Sequence, residues 1–517
     1  MKNKRPSDKK WLLELLNRRV IIALLIIAQF AFLAYFIISS SRLSQYLSAF
    51  FSVLSVVVAL HIISQRGRSA YKLSWLFLVL AFPLLGGFLY LFFNFQSSLR
   101  VFKRRSARAE KKVSGYFSLA NPVLNTAVEK LPKYSRQIKY LQDTAGFPIF
   151  DRTRTRYLSP GEEFLPVLLE ELEKAKEYIF LEFFIVQEGE MFDSILEVLK
   201  RKAKEGVRVR ILYDDIGCFF LLPKDYVTTL KSFGIEAAVF NPFTPFLTAS
   251  QNNRDHRKIV SIDGKVAFTG GINLADEYIN AFEKHGYWKD SAVMLSGKAA
   301  WSLTLIFLQN WELVTGANDD VKALFPWTID ECAEQSDGFV QPYADSPLDT
   351  EPVSQEVYMQ MIADAKRYLY VMTPYLIIDD NMVSALTLAA KSGVDVRIIT
   401  PKKWDKKAVH MTTRSYYPEL IRGGVKIYEF TPGFVHTKAM VCDDEVAAIG
   451  TVNLDFRSLY LHFECGVKVY ESSAVTALKE DFLATVKKCD PIFADEIRPG
   501  FFRRLGRDIL RLFAPLM

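Results

Sequence analysis

HRKIVSIDGKVAFTGGINL (residues 256–274) and HTKAMVCDDEVAAIGTVNL (residues 436–454) are one pattern written twice. The first reads His256-x-Lys258-x4-Asp263, then Gly270-Gly271-x-Asn273; the second reads His436-x-Lys438-x4-Asp443, then Gly450-Thr451-x-Asn453. A single string of this kind carries little weight. Two of them suggest a duplicated domain, and the doubling extends outward. KAKEYIFLEF (174–183) is answered by DAKRYLYVMT (364–373), and KEGVRVRILYDD (204–215) by KSGVDVRIITPK (391–402). The unit is roughly 180 residues long, far above the roughly 20–50 residues of a solenoid repeat.

Each copy has the same coarse organisation. An amphipathic helix near 160–176, and again near 354–366, leads into an apolar strand at 178–186 and 368–373. A second helix at 190–204 and 380–391 leads through Gly206 or Gly393 into a Val/Ile/Arg strand at 207–213 and 394–400. This alternation predicts an α/β fold in which each half is a mixed sheet flanked by helices. Two similar halves, 113–330 and 331–497, are expected to pack about a pseudo-twofold axis and build one site between them.

Alternate side chains of a strand share a face, so His256 and Lys258 point together, as do His436 and Lys438. The turns Asp263-Gly264 and Asp443-Asp444 send the chain back antiparallel, and the small residues before Asn273 and Asn453 allow close backbone approach. Each half then offers an imidazole, an ammonium and an amide to one pocket. That set suits a phosphodiester. The lysines and asparagines hold the non-bridging oxygens, one imidazole attacks phosphorus, and the other moves protons. No metal is needed to neutralise the phosphate, and the lysines oppose cation binding.

The ends of the chain differ from its middle. Three apolar runs, Val20–Ile38, Leu47–Ser64 and Leu73–Phe95, have the roughly 20 residues that cross a hydrocarbon core about 30 Å thick. Residues 1–112 hold 18 Lys/Arg and 3 Asp/Glu, so the remainder of this +7 chain is acidic. An acidic catalytic part argues against nucleic acid, whereas basic flanks beside apolar runs suit anionic lipid. The positive-inside rule wants both basic flanks in the cytoplasm, but three full crossings would put them on opposite sides. Either one run of this multi-pass membrane protein is re-entrant or interfacial, or the rule fails; the catalytic part is expected in the cytoplasm. Residues 498–517 read as a basic amphipathic helix, with Leu505, Ile509, Leu512 and Phe513 on one side and Arg504, Arg507 and Arg511 on another, which suits lying on anionic lipid somewhat better than packing on the catalytic domain. CFFLLP (218–223) and FNPFTPFL (240–247) suit loops admitting acyl chains, core packing or a subunit contact equally well. The five cysteines, Cys218, Cys332, Cys442, Cys465 and Cys489, show neither a disulfide framework nor zinc spacing.

The doubled motif resembles the HKD motifs of the phospholipase D superfamily. Over nearly its whole length the chain is similar to bacterial cardiolipin synthases, in KLSWLFLVLAFPLLGGFLYLFF, NNRDHRKIVSIDGKVAFTGGINLADEY, FLQNWELVTG and GVKIYEFTPGFVHTKAMVCDDEVAAIGTVNLDFRSL. The resemblance implies a phosphatidyltransferase without cofactor that joins two phosphatidylglycerols into cardiolipin and glycerol. It implies His256 as nucleophile and His436 as general acid/base. It also implies a downstream carboxylate to orient each histidine, for which Asp290 (in YWKD) and Glu464 (in HFEC) are the candidates. Asp263 and Asp443 then support the motif more than they touch phosphate. His462 departs from the family, which usually has asparagine before Phe-Glu. A hydrolytic phospholipase D, transfer to another alcohol, and a lipid-binding scaffold without activity are the competing readings.

Overall fold

The computed structural model describes residues 27, 31, 42–65, 68–94, 97–244, 249–329, 336–493 and 500–516. Apart from Ile27 and Ala31, the first apolar run lies outside them. The chain divides into two units, one of residues 1–102, 243–252 and 511–517, the other of residues 103–242 and 253–510.

The first unit is helical. Arg42–Ser64 forms one helix, and its segment Gln45–Ser64 is long and apolar enough to cross a membrane. The third run departs from expectation. It is not one span but two helices, Ser69–Ala81 and Pro83–Asn94. Pro83 has no N–H to donate, and its ring drives Phe82 out of helical geometry to φ −132°, ψ 75°. The second helix folds back on the first, bringing the Tyr90 ring 5.4 Å from that of Trp75. A Cβ on Gly86 would stand 2.3 Å from the Leu78 carbonyl oxygen, so only glycine fits where the hairpin closes. The end of the C-terminal helix (Phe501–Phe513) belongs here too: Ser74 Oγ donates to the Leu512 carbonyl at 2.6 Å, and Phe513 packs edge-on to Phe77.

The second unit holds both repeats. The first contains β1 (Thr153–Leu158), β2 (Tyr178–Phe183), β3 (Arg208–Asp214), β4 (Glu236–Phe240), β5 (Arg254–Asp255), β6 (Lys258–Ile262), β7 (Val266–Gly270), β8 (Tyr287–Lys289) and β9 (Ala292–Gly297). The second contains β10 (Phe339–Asp345), β11 (Tyr368–Met372), β12 (Leu376–Ile377), β13 (Asp395–Pro401), β14 (Lys426–Phe430), β15 (Gly433–Val435), β16 (Ala439–Cys442), β17 (Val446–Gly450), β18 (Leu454–Asp455), β19 (His462–Tyr470) and β20 (Cys489–Ile492). The first sheet runs β1-β9-β7-β6-β2-β3-β4, and the second runs β10-β19-β17-β16-β11-β13-β14 before adding β20. Position for position these are the same order, which is the duplication expressed in topology. In each sheet the last three strands of that shared order are parallel and the rest antiparallel.

The four expected helices appear as Gly161–Glu173, Glu190–Lys204, Val353–Asp364 and Asp380–Lys391. Glu190–Lys204 shows why such a segment is helical. Acidic Glu190 and Asp193 sit in its first turn and Arg201, Lys202 and Lys204 in its last, complementing the helix dipole. Its apolar face (Phe192, Ile195 and Leu199) is fully buried against the sheet. Another helix, Ala300–Thr315, is buried nearly all round and fills the space against the first sheet.

One buried cation has no site role. Lys468 lies in the middle of β19, fully buried, and donates to Gln137 Oε1. Burial, partly opposed by Cys442 and Asp364, lowers its pKa to about 7. Below pH 7 both the folded and unfolded chains carry its charge, so the folded form bears the whole cost, on the order of a few kcal/mol. Between pH 7 and its unfolded value the folded form sheds the proton first and the cost shrinks. Lys468→Met is therefore expected to raise Tm, and by more at pH 6 than at pH 9. A lower Tm at both pH values would refute this.

Candidate active site

The sequence predicts that the histidine and lysine of each motif lie within one strand. Instead β6 begins at Lys258 and β16 at Ala439, so His256 and His436 stand just before the strands. There each is held by the opposite repeat. β5 pairs in parallel with β19, and His256 N donates to the Phe463 carbonyl at 2.9 Å. β15 pairs in parallel with β8, and His436 N donates to the Lys289 carbonyl at 2.7 Å.

The carboxylates are exchanged in the same way. His256 Nδ1 lies 2.9 and 3.0 Å from the two oxygens of Glu464, and His436 Nδ1 lies 2.6 Å from Asp290 Oδ2. Each histidine thus has its carboxylate from the other half. A carboxylate accepting from Nδ1 keeps the ring proton there and leaves the Nε2 lone pair free. Glu464 is held in turn by Thr451 Oγ1, and Asp290 by Ser291 N at 2.8 Å. Gly271 stands in the first repeat where Thr451 stands in the second, and a Cβ there would come within 2.0 Å of Asp290 Oδ1. The missing side chain is what admits Asp290.

Lys258 and Lys438 are buried beside their histidines, each donating to the carbonyl oxygen of its own motif histidine. Lys438 Nζ also lies 2.8 Å from His436 Nδ1, the nitrogen that Asp290 approaches more closely. The aspartates lie apart from this group. Asp263 accepts from the backbone N–H groups of Lys176, Glu177 and Tyr178, each at 2.8 Å. Asp443 does the same for Lys366, Arg367 and Tyr368, tying the motif turn to the start of β11. Both central residues of each turn have positive φ, as a primed hairpin turn requires: 50° and 64° at Asp263-Gly264, 59° and 66° at Asp443-Asp444. The asparagines also differ from each other. Asn273 Oδ1 accepts from Ile185 N and its Nδ2 donates to Tyr278 Oη, whereas Asn453 Oδ1 is buried without a partner.

Burial is the largest electrostatic influence throughout. It lowers His256 well below the usual imidazole range, helped by Lys258, Lys438 and His436. It lowers His436 to about 4 with Lys438 acting the same way, and Asp290 opposing. Lys258 falls to about 8 and Lys438 to about 7, again chiefly through burial. The carboxylates diverge. Burial pushes Glu464 up to about 7. It pushes Asp290 in the same direction, but Lys438 and His436 outweigh it and hold Asp290 below its ordinary value. One imidazole therefore faces a firmly ionised carboxylate and the other a carboxyl group pushed well above its ordinary range.

Several contributors lie beyond the motif. The Phe184 ring is 5.2 Å from His256, and the Trp288 ring 5.3 Å from His436, walling both imidazoles from water. Asp214 binds Arg254 and accepts from Asp255 N, fixing the residues before His256. Asn310 donates to Glu182 and Asp255 behind the same strand. No spacing rule joins these residues, since each comes from a separate element. His462 lies 5.7 Å from His256 ring to ring, and neither of its nitrogens has a hydrogen-bond partner. Among the described residues, His256, His462 and Glu464 form a group whose ligand atoms lie within 4.8 Å of one another. Lys258 and Lys438 both act on Glu464, so their ammonium charges compete with a cation there.

Comparison with known proteins identifies the family. Residues 168–292 and 358–486 each match the family described as cardiolipin synthase, phospholipase-D-like domain, and residues 53–93 match the phospholipase D-nuclease N-terminal family. The chain is 37% identical over 511 residues to a cardiolipin synthase of Geobacillus sp. (strain WCH70), covering 96% of this chain and 99% of that one. It is 37% identical over 478 residues to the cardiolipin synthase of Alkalihalophilus pseudofirmus, covering 91% and 94%. An uncharacterised Streptococcus mutans protein is 40% identical over 460 residues, covering 89% and 99%. The crystal structure of phosphatidylserine synthase from Haemophilus influenzae shares the fold, with a TM-score of 0.54 at 15% identity over 74% of this chain and 98% of that one. With a doubled motif, one strand order used twice and relatives this similar over nearly their whole length, the chain belongs to the cardiolipin synthase family of the phospholipase D superfamily.

Proposed function

We propose that this protein transfers a phosphatidyl group from one phosphatidylglycerol to the terminal hydroxyl of a second, giving cardiolipin and glycerol through a phospho-histidine. The observation that carries the proposal is the crossed pairing of His256 with Glu464 and His436 with Asp290. It supports one reaction centre built from both repeats.

The phosphodiester of the first lipid binds between Lys258 and Lys438, with the Asn453 amide turned toward its oxygens. Its negative charge raises the proton affinity of His436, which becomes the acid. His256 Nε2 attacks phosphorus. The bond to the glycerol oxygen breaks, and the proton of His436 goes to that oxygen. The second phosphatidylglycerol then enters. His436 removes the proton of its terminal hydroxyl, that oxygen attacks phosphorus, and the bond to His256 breaks. One diester is exchanged for another, so no nucleotide is consumed. His436 is assigned as acid/base because it faces the ionised Asp290, whose charge stabilises an imidazolium, which leaves His256 as nucleophile.

The basic flanks support a membrane protein with its catalytic part in the cytoplasm. Two crossings by the first two apolar runs, with the Ser69–Asn94 hairpin re-entering, leave both flanks on one side.

Incubating the reconstituted protein with phosphatidylglycerol alone and separating the lipids tests this reading. Cardiolipin with one glycerol per turnover supports it, while phosphatidic acid or unchanged lipid sinks it. The pH profile is a second test. The two ammonium groups lose their charge as pH passes about 7 and 8, so kcat/KM, which reports the free enzyme, is expected to fall over that range. A profile flat to pH 9 would remove the lysines from phosphate binding.

A further inference from the structure

The loops that follow the equivalent strands β3 and β13 carry large side chains that face solvent. After β3, Phe219 is 46% exposed and Phe220 91% exposed. After β13, the stretch Lys402-Lys403-Trp404-Asp405-Lys406-Lys407 surrounds Trp404, which is 52% exposed, with four exposed lysines. Both loops leave the carboxyl ends of the parallel strands, the end of an α/β sheet where ligands bind.

Both also touch the walls of the site. Cys218 Sγ accepts from Val186 N at 3.2 Å, and a Cβ on Gly217 would stand 1.9 Å from the carbonyl oxygen of Phe184, the residue that packs on His256. In the other loop, Asp405 accepts from Tyr375 Oη, and Lys406 is close enough to depress the pKa of His256. The exposed aromatics therefore belong to loops that reach the catalytic centre, one group from each repeat.

An exposed aromatic ringed by lysines has a well-defined physical partner. Tryptophan prefers the head-group layer, where its ring is apolar and its N–H stays hydrated, and lysines beside it are drawn to anionic lipid. A protein partner of matching acidity would satisfy the lysines, but a bilayer also accommodates the phenylalanines. We propose that the loops after β3 and β13 form a docking rim that seats the catalytic unit on an anionic bilayer, with Phe219, Phe220 and Trp404 entering the interfacial layer. This deepens the proposed function and rests on the substrate being a membrane lipid. It adds that the lipid passes from bilayer to site without crossing water.

The test uses the full chain reconstituted in vesicles, with two readouts. First, the emission of Trp404 is isolated as the difference between the wild type and Trp404→Phe. In phosphatidylglycerol-containing bilayers with brominated acyl chains it is expected to be blue-shifted and quenched. A Trp404 component that emits as in water and is quenched by iodide but not by bromolipid overturns the proposal, whatever the activity. Second, the double variant Phe220→Ser/Trp404→Ser is compared with wild type on phosphatidylglycerol embedded in the bilayer and on a dispersed short-chain phosphatidylglycerol. Turnover of the embedded lipid is expected to fall about tenfold, and turnover of the dispersed lipid to stay within about twofold. An equal fall on both substrates, or no fall on either, also overturns it. Failure of the wild type to convert either substrate would reject the proposed function and leave docking to be decided by the quenching.

Discussion

His256→Ala is expected to cut phosphatidyl transfer by about 10⁴-fold or more, and to abolish covalent labelling by a nitrophenyl phosphodiester. His436→Ala should fail differently. An activated leaving group needs no acid, so this variant is expected to release one equivalent of nitrophenol and then stall with the phosphoryl group on His256. The second step still lacks a base for the incoming alcohol. Quenched-flow measurement of the burst, with mass analysis of the peptide containing residue 256, separates the two roles. A burst from His256→Ala and none from His436→Ala would exchange the assignments. Steady turnover by either variant would end the two-histidine mechanism.

The second large effect concerns the carboxylates. Asp290→Asn should resemble the loss of His436, although Asp290 lies in the same repeat as His256. An amide can donate to Nδ1 and so turn the imidazole into the wrong tautomer, a defect that costs about 10⁴-fold in a serine-protease triad and about 10–100-fold at orienting partners of metal ligands. Transfer is therefore expected to fall by roughly 10²–10⁴-fold, with the nitrophenol burst preserved. Glu464→Gln should instead weaken the burst, because Glu464 orients His256. Its effect should be smaller, since Glu464 is already partly protonated near pH 7. If Asp290→Asn suppresses the burst and Glu464→Gln preserves it, the pairing would act within each repeat and the crossed geometry would have no catalytic meaning.

Much of this was legible in the sequence, for identifiable reasons. The parallel strands and the helices between them carry strong apolar periodicity, and two copies of each signal reinforced one another. The His-x-Lys spacing did set each lysine beside its histidine, although both histidines stand just before the strands and not within them. What stayed hidden depends on distant partners. Nothing near residue 290 says that its carboxylate serves residue 436, and nothing near Gly271 says that its missing side chain makes the room. Hydropathy makes Leu73–Phe95 one continuous run because it counts Pro83 as one residue, whereas sterically Pro83 ends a helix. Asp263 and Asp443 stand within the motif, yet backbone amides that no spacing rule would single out hold them.

The exchange of Glu464 and Asp290 bears on the ancestry of the molecule. A chain carrying one repeat alone would have a histidine with no acid to orient it, and would be inert as a monomer. Two identical copies facing each other across a true dyad would complete one another, so a symmetric homodimer is a workable forerunner. Tandem fusion of such a gene releases the two copies from sameness. A glycine at 271 and a threonine at 451 then become separately selectable, and the two imidazoles are free to specialise.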